Sequence, residues 1–258
     1  FGCLPWVLDE YGLSHMCYEL TVEGIKRVKE AAAELGLEDS TFVACSLGPG
    51  TKLPSLGHIE FDEMKAGYEL AINAAIDAKA DIILLETCQD PLQIKAALIG
   101  AEDAFAAKGV RLPVMVSATI EMNGTMLIGT DAKTLATILA PFDILSLGFN
   151  CGTGPEEVAK HVRALSEVWD GQISVHANAG LPQNRGGFTF YPMGPSEFAA
   201  LQKAFCDVNG ISILGGCCGT TPQHILELAK EVKGFKPKAA TGIHPNSLAS
   251  LFESFTLV

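Results

Sequence analysis

Positive charge is scarce in this sequence: 18 Lys plus Arg stand against 30 Asp plus Glu, a formal net charge of −12, and no basic run occurs. Sequence-independent affinity for nucleic acid comes from clustered positive charge, so a phosphate-backbone partner is excluded. Long apolar runs are missing too. Stretches such as Ile82 to Leu85 and Ile211 to Leu214 fall far short of the ~20 residues that a membrane-spanning helix needs. The opening Phe1-Gly2-Cys3-Leu4-Pro5 has no basic region ahead of an apolar one and no initiator Met. The expectation is a cytoplasmic protein whose natural start lies before residue 1. Charged residues make up only 19% and hydrophobic ones 48% of the 258 residues, which excludes a disordered chain.

What is present is a regular alternation. Short apolar runs at Thr41 to Ser46, Ala80 to Glu86, Pro113 to Ser117, Asp143 to Leu147, Gln172 to His176 and Gly210 to Leu214 read as strands buried on both faces. Helical spacing appears over Thr21 to Leu35, Phe61 to Lys79, Leu92 to Ala107, Ala132 to Leu139, Pro155 to Val168, Pro195 to Cys206 and Pro222 to Val232. Asp90-Pro91, Gly154-Pro155, Gly194-Pro195 and Thr221-Pro222 mark helix starts with proline. Strands alternating with helices imply an α/β fold with a parallel sheet. No GxGxxG or GxxxxGK[ST] follows a strand, so a (β/α)8 TIM-type barrel is favoured over an open doubly wound sheet. Only six of the eight strands can be found, and the reading is a barrel lacking its first two. After Val232 the periodicity fades, giving a barrel at residues 1–234 and a tail or connector at 235–258, with an extra strand or helix over Leu248 to Leu257 left open.

Eight cysteines in a chain with a large apolar core point to reduced thiols rather than a disulfide framework. The segment Gly215-Gly216-Cys217-Cys218-Gly219-Thr220-Thr221-Pro222 lies between the last strand and the last helix, at the end of the barrel where active sites form. Adjacent cysteines make a poor disulfide. Asn150-Cys151-Gly152 follows another strand in the equivalent place. Three thiolates from two loops would give a zinc site with its fourth position free, the pattern of a catalytic site. Cys3, Cys17, Cys45, Cys88 and Cys206 read as ordinary core cysteines.

Taken together, the Gly-Gly-Cys-Cys-Gly-Thr-Thr-Pro segment, Asn150-Cys151 followed by Gly154-Pro155-Glu156-Glu157, Ser46-Leu47-Gly48-Pro49, Leu85-Glu86-Thr87 and Asn178-Ala179-Gly180-Leu181-Pro182 resemble the homocysteine S-methyltransferase family. They are most similar to the homocysteine-binding module of cobalamin-dependent methionine synthases, over roughly residues 1 to 232. The resemblance implies a (β/α)8 barrel in which Cys151, Cys217 and Cys218 hold zinc and homocysteine adds its sulfur as the fourth ligand. It implies that Glu86 and Asn178 bind the substrate, Glu86 through the ammonium group. On the residues alone, Glu86 reads equally as a helix N-cap or a solvated strand-end carboxylate, and Asn178 as a turn residue. The family usually has Pro before that Asn, where this chain has Ala177. His176 reads as lining the site, and His15, His58, His161, His224 and His244 as surface residues.

The resemblance implies two strands ahead of the position of Phe1-Gly2, and truncation is the expected reason for the missing pair. The resemblance makes residues 235–258 a connector toward an absent folate-binding domain, and makes methylcobalamin, bound by another domain, the methyl donor. Two other readings are a betaine- or S-methylmethionine-dependent homocysteine methyltransferase and a non-catalytic zinc-binding assembly domain.

Overall fold

In the computed structural model, residues 1–240 and 246–257 are described. His244 and part of the expected connector lie outside them. The chain forms two compact units, Phe1–Val116 and Ser117–Val258.

The first unit begins with a short helix, α1 (Pro5–Leu8), and a long one, α2 (Cys17–Glu34), followed by strand β1 (Ala44–Leu47). Helix α3 (Phe61–Asp77), strand β2 (Ile82–Cys88) and helix α4 (Pro91–Lys108) complete it. Asp90 caps α4 by accepting from the Leu92 N–H at 2.8 Å, with proline at the first helical position. Helix α3 buries Met64, Tyr68, Ala71, Ile72 and Ala75, and α4 buries Ile94, Ala97, Ala101, Ala104 and Phe105, the spacing of three and four expected of core-facing helices. The indole of Trp6 on α1 packs edge-on against Tyr68, ring centroids 5.2 Å apart. Beside β1 runs a groove of about 460 Å³ lined by Cys3, Leu20, Thr21, Ile25, Val43 and Cys45.

Strand β3 (Val114–Ala118) leads into the second unit, which contains α5 (Ala132–Leu139), β4 (Ser146–Asn150), α6 (Pro155–Ser166) and β5 (Gln172–Ala177). A hairpin of β6 (Gln183–Arg185) and β7 (Phe188–Phe190) follows, then α7 (Pro195–Lys203), β8 (Ile211–Gly216) and α8 (Pro222–Glu231). The main sheet has the order β1-β2-β3-β4-β5-β8. Among the described residues it holds six strands and does not close, so the α/β reading and the strand count agree with the sequence.

Strand boundaries differ from those read from hydrophobicity. The run expected at Asp143 to Leu147 pairs instead as Ser146–Asn150, and the one expected to end at Glu86 continues to Cys88. Apolar pattern reports burial, whereas a strand is delimited by backbone pairing, and here pairing continues into polar residues. In β4, Leu147 and Phe149 are buried on one face and Ser146, Gly148 and Asn150 lie on the other; in β5, Ser174 and His176 share the face opposite to Ile173 and Val175. Parallel pairing sets Gly148 against Ser174 and Asn150 against His176.

Within the tail, β9 (Ser247–Ala249) and β10 (Ser254–Thr256) pair as an antiparallel hairpin, the strand alternative left open for this stretch. The Thr130 hydroxyl donates to the Leu251 carbonyl at 2.6 Å, tying the hairpin to the second unit. Among the described residues no helix is long and apolar enough to cross a membrane.

A three-cysteine candidate metal centre

All three expected ligands belong to the second unit, and the fold brings them together. The sulfurs of Cys151, Cys217 and Cys218 all lie within 4.8 Å of one another. Four ligands at about 2.3 Å from a tetrahedral zinc put neighbouring sulfurs about 3.8 Å apart. Cys151 Sγ and Cys218 Sγ are separated by 3.7 Å. Donor type, number and spacing therefore suit a thiophilic divalent metal with one coordination position left over.

Each cysteine is placed by its backbone. Cys151 follows β4 in the left-handed region at φ 58°, with Gly152 after it at φ 65°. A non-glycine residue there costs about 1 kcal/mol. The turn is held by the Cys151 N–H donating to the His176 carbonyl at 3.2 Å and by the Thr153 N–H donating to the Cys151 carbonyl at 2.6 Å. On the other loop, the Cys217 N–H donates to the Ala177 carbonyl at 2.9 Å, and the Cys218 carbonyl accepts from the Ala179 N–H at 2.9 Å. Residues 176 to 179, at the end of β5, thus hold both cysteine loops. Gly219 has φ 78°, and any Cβ there would collide with the ring of Tyr191.

Asn178 is 2% exposed, and its Oδ1 accepts from the Cys218 N–H at 3.0 Å. Asn150, also 2% exposed, receives the Ser117 hydroxyl on Oδ1 at 2.7 Å and directs Nδ2 toward Cys217 Sγ at 3.7 Å. The Tyr191 hydroxyl is hydrogen-bonded to Cys218. Gln202 on α7, fully buried, donates to the Gly215 carbonyl just ahead of the cysteine pair.

His224 is a correction to the sequence reading. It is 6% exposed rather than a surface residue, pairs with Thr221 in the capping box of α8, and its Nε2 lies 3.0 Å from the Met193 carbonyl. Cys3 and Cys206 are half-buried rather than core residues, while Cys17, Cys45 and Cys88 are buried as expected.

Crowding three thiols splits their acidities. Hydrogen bonding, first from Cys217, pulls Cys151 down to about 5 against the burial that opposes it. The same hydrogen bond to Cys151, with burial next, pushes Cys217 up. Burial, followed by the charge of Cys151, raises Cys218. One thiolate is stabilised by its neighbours, and further ionisation meets like charge; a bound dication removes that penalty. Burial holds Cys17, Cys45 and Cys88 protonated up to about 12. In the metal-free chain at pH 6, above the value for Cys151 and far below those of the buried thiols, brief iodoacetamide treatment is expected to label Cys151 first and leave Cys17, Cys45 and Cys88 unmodified, as read by peptide mass mapping. Labelling of the buried three ahead of Cys151 would contradict this.

The sequence profile described as homocysteine S-methyltransferase matches residues 1–232. The chain belongs to the homocysteine S-methyltransferase family. It is 40% identical over 254 residues, 98% of its length, to a methionine synthase of Mycobacterium tuberculosis, and 40% identical over 233 residues, 90% of its length, to a methionine synthase of Mycobacterium leprae. It spans 21% and 19% of those two proteins, about a fifth of their length. Among solved structures, the metallated form of the Escherichia coli homocysteine methyltransferase MmuM superposes with a TM-score of 0.66 at 21% identity, covering 89% of this chain and 76% of that one. Its apo form gives 0.62 at 22% identity, covering 84% of this chain and 74% of that one. At such identity the likeness speaks for the fold alone, and it agrees with a TIM-type barrel architecture.

Glu86, in β2 of the first unit, is half-buried, and the Ser46 hydroxyl donates to its Oε1. It caps no helix, since Asp90 performs that task for α4. Thr87 beside it adopts φ 60°, an uncommon conformation for a β-branched residue. In the sequence Asn150 stands out only as the neighbour of Cys151, and Tyr191 and Gln202 do not stand out at all. Asn150 was recoverable, because a buried amide directly before a ligand cysteine is placed to reach the other ligands. Tyr191 and Gln202 carry no local signal.

Proposed function

We propose that this chain is the homocysteine-binding module of a cobalamin-dependent methionine synthase, in which Cys151, Cys217 and Cys218 hold zinc. The convergence of the three sulfurs within 4.8 Å carries this reading. Zinc bound there supplies Lewis acidity that keeps a substrate thiol, ordinarily near pKa 8.5, in its thiolate form at neutral pH. The chain's own residues do the rest of the work at this end. The three cysteines leave one coordination position for the homocysteine sulfur. Asn178 fixes the Cys218 turn through Oδ1, is hydrogen-bonded to Cys151, and in this reading contacts the substrate. Glu86, with one oxygen engaged by Ser46, receives the substrate ammonium. A homocysteine thiolate held in that position would be placed to accept the methyl group that methylcobalamin, bound by another domain, would supply.

The 40% identity to two methionine synthases over nearly the whole chain supports methionine as the product, and methylcobalamin as donor follows from the resemblance to the cobalamin-dependent module. Residues 235–258 serve in this reading as the connector toward a folate-binding domain. The full-length protein carrying this chain is expected to form methionine from homocysteine with methylcobalamin, and not with betaine or S-methylmethionine. Methionine formed from betaine alone would overturn the donor assignment. Failure of homocysteine to give heat of binding to the zinc-loaded protein in calorimetry would favour the non-catalytic assembly role.

A further inference from the structure

We propose that Asn150, held by Ser117, is a positioning residue that makes Cys217 a firm metal ligand and a poor nucleophile, so that Cys217 does not compete with the substrate sulfur for the alkyl group. The inference rests on the zinc reading above and deepens it.

The chemical problem is one of selectivity. A site built to methylate a thiolate holds three thiolates of its own, and any of them could accept an alkyl group. With a dication and three thiolates the centre carries one net negative charge, which keeps all its sulfurs electron-rich. Hydrogen-bond donation to a thiolate withdraws electron density and lowers its reactivity while leaving it able to bind metal.

Asn150 is built for that task. Amide orientation is set at its far end: Oδ1 accepts the Ser117 hydroxyl at 2.7 Å, which turns Nδ2, a donor only, toward Cys217 Sγ at 3.7 Å. The backbone is fixed as well, because the Thr119 hydroxyl donates to the Asn150 carbonyl at 3.1 Å and the residue pairs with His176 in the sheet. Ser117 is fully buried and Asn150 is 2% exposed, so water does not compete for either group. Glycine at 148 completes the arrangement by letting β4 approach the Ser174 backbone closely on the face that carries Asn150. Of the three ligand sulfurs, Cys217 has the donor that lies on a rigid strand.

The test uses the full-length, zinc-loaded protein and iodoacetamide, with the modification of each cysteine quantified by mass mapping. In the labelling step sulfur attacks the CH2 carbon and iodide departs with the C–I electron pair. In Asn150→Ala, Cys217 is expected to be alkylated about tenfold faster relative to Cys151 and Cys218 than in the unmodified protein, the scale of a lost hydrogen bond to a charged group. Ser117→Ala, which frees the amide without touching the thiol environment, is expected to shift the same ratio by about threefold. It also serves as the test should Asn150→Ala fail to fold. The ratio separates the inference from a purely structural role, because a loosened site would speed all three cysteines together. A second readout is the sulfur-to-metal charge-transfer absorption of the cobalt-substituted protein, which is expected to move in Asn150→Ala. An unchanged Cys217 ratio in a folded, zinc-loaded variant overturns the inference. Absence of zinc from the unmodified protein overturns instead the reading of the centre on which it rests.

Discussion

Replacing Cys217 by serine is expected to lower zinc affinity more than about a hundredfold, beyond the loss that accompanies removal of a mere supporting residue. The reason lies in the ligand set. In the proposed centre Cys151, Cys217 and Cys218 are the protein donors, and their sulfurs lie within 4.8 Å of one another. A serine hydroxyl in that place stays protonated and is a weak donor for a soft-leaning metal, leaving two thiolates on two separate loops. The remaining pair still stands 3.7 Å apart, so residual weak binding is expected rather than none. Competition against a chromogenic chelator measures the change, and Cys206→Ser, which alters a half-buried thiol outside the cluster, serves as the control expected to show no effect. Equimolar zinc held by Cys217→Ser under the same competition would remove the proposed centre.

The second large effect concerns a residue without chemistry. Gly148→Ala is expected to destabilise the protein by about 3 kcal/mol or more, a fall in thermal midpoint of roughly 6 to 12 °C. A Cβ at this position would overlap the backbone carbonyl oxygen of Ser174, its pairing partner on β5. Neither strand can retreat cheaply. Leu147 and Phe149 are packed on the opposite face of β4, and Ile173 and Val175 on that of β5. The same strand ends at Asn150 and delivers Cys151, so the substitution is expected to weaken zinc retention along with stability. Differential scanning calorimetry and zinc content measure the two outcomes, and an unaltered midpoint would show that the β4 to β5 contact is looser than the structure has it.

Much of this architecture is legible along the chain because the relevant physics is local. Helix α5 falls at Ala132–Leu139 as its spacing indicates, and α4, α6, α7 and α8 begin at the prolines that mark them. Less legible are features defined by partners. The strand ending at Asn150 and the one reaching Cys88 extend past their apolar runs, since pairing and not hydropathy delimits them. His224 reads as a polar surface residue, yet the Met193 carbonyl and the α8 cap together satisfy its ring and permit burial. The small hairpin of β6 and β7 has a turn signal in Gly186-Gly187, both with positive φ, but its strands lie exposed on both faces and carry no alternation of burial to read.

By itself the sequence determined the alternation of strands and helices, the six-strand count, and the three cysteines that stand out from the other five. It did so because periodicity, turn chemistry and residue type are properties of neighbours in the chain. Only the tertiary structure decided that Cys151 and Cys218, 67 positions apart, meet at 3.7 Å, that residues 176 to 179 hold both of their loops, and that the Ser117 hydroxyl turns the Asn150 amide toward Cys217. Distances between remote segments follow from how strands pair and where loops turn back, and no local pattern records them.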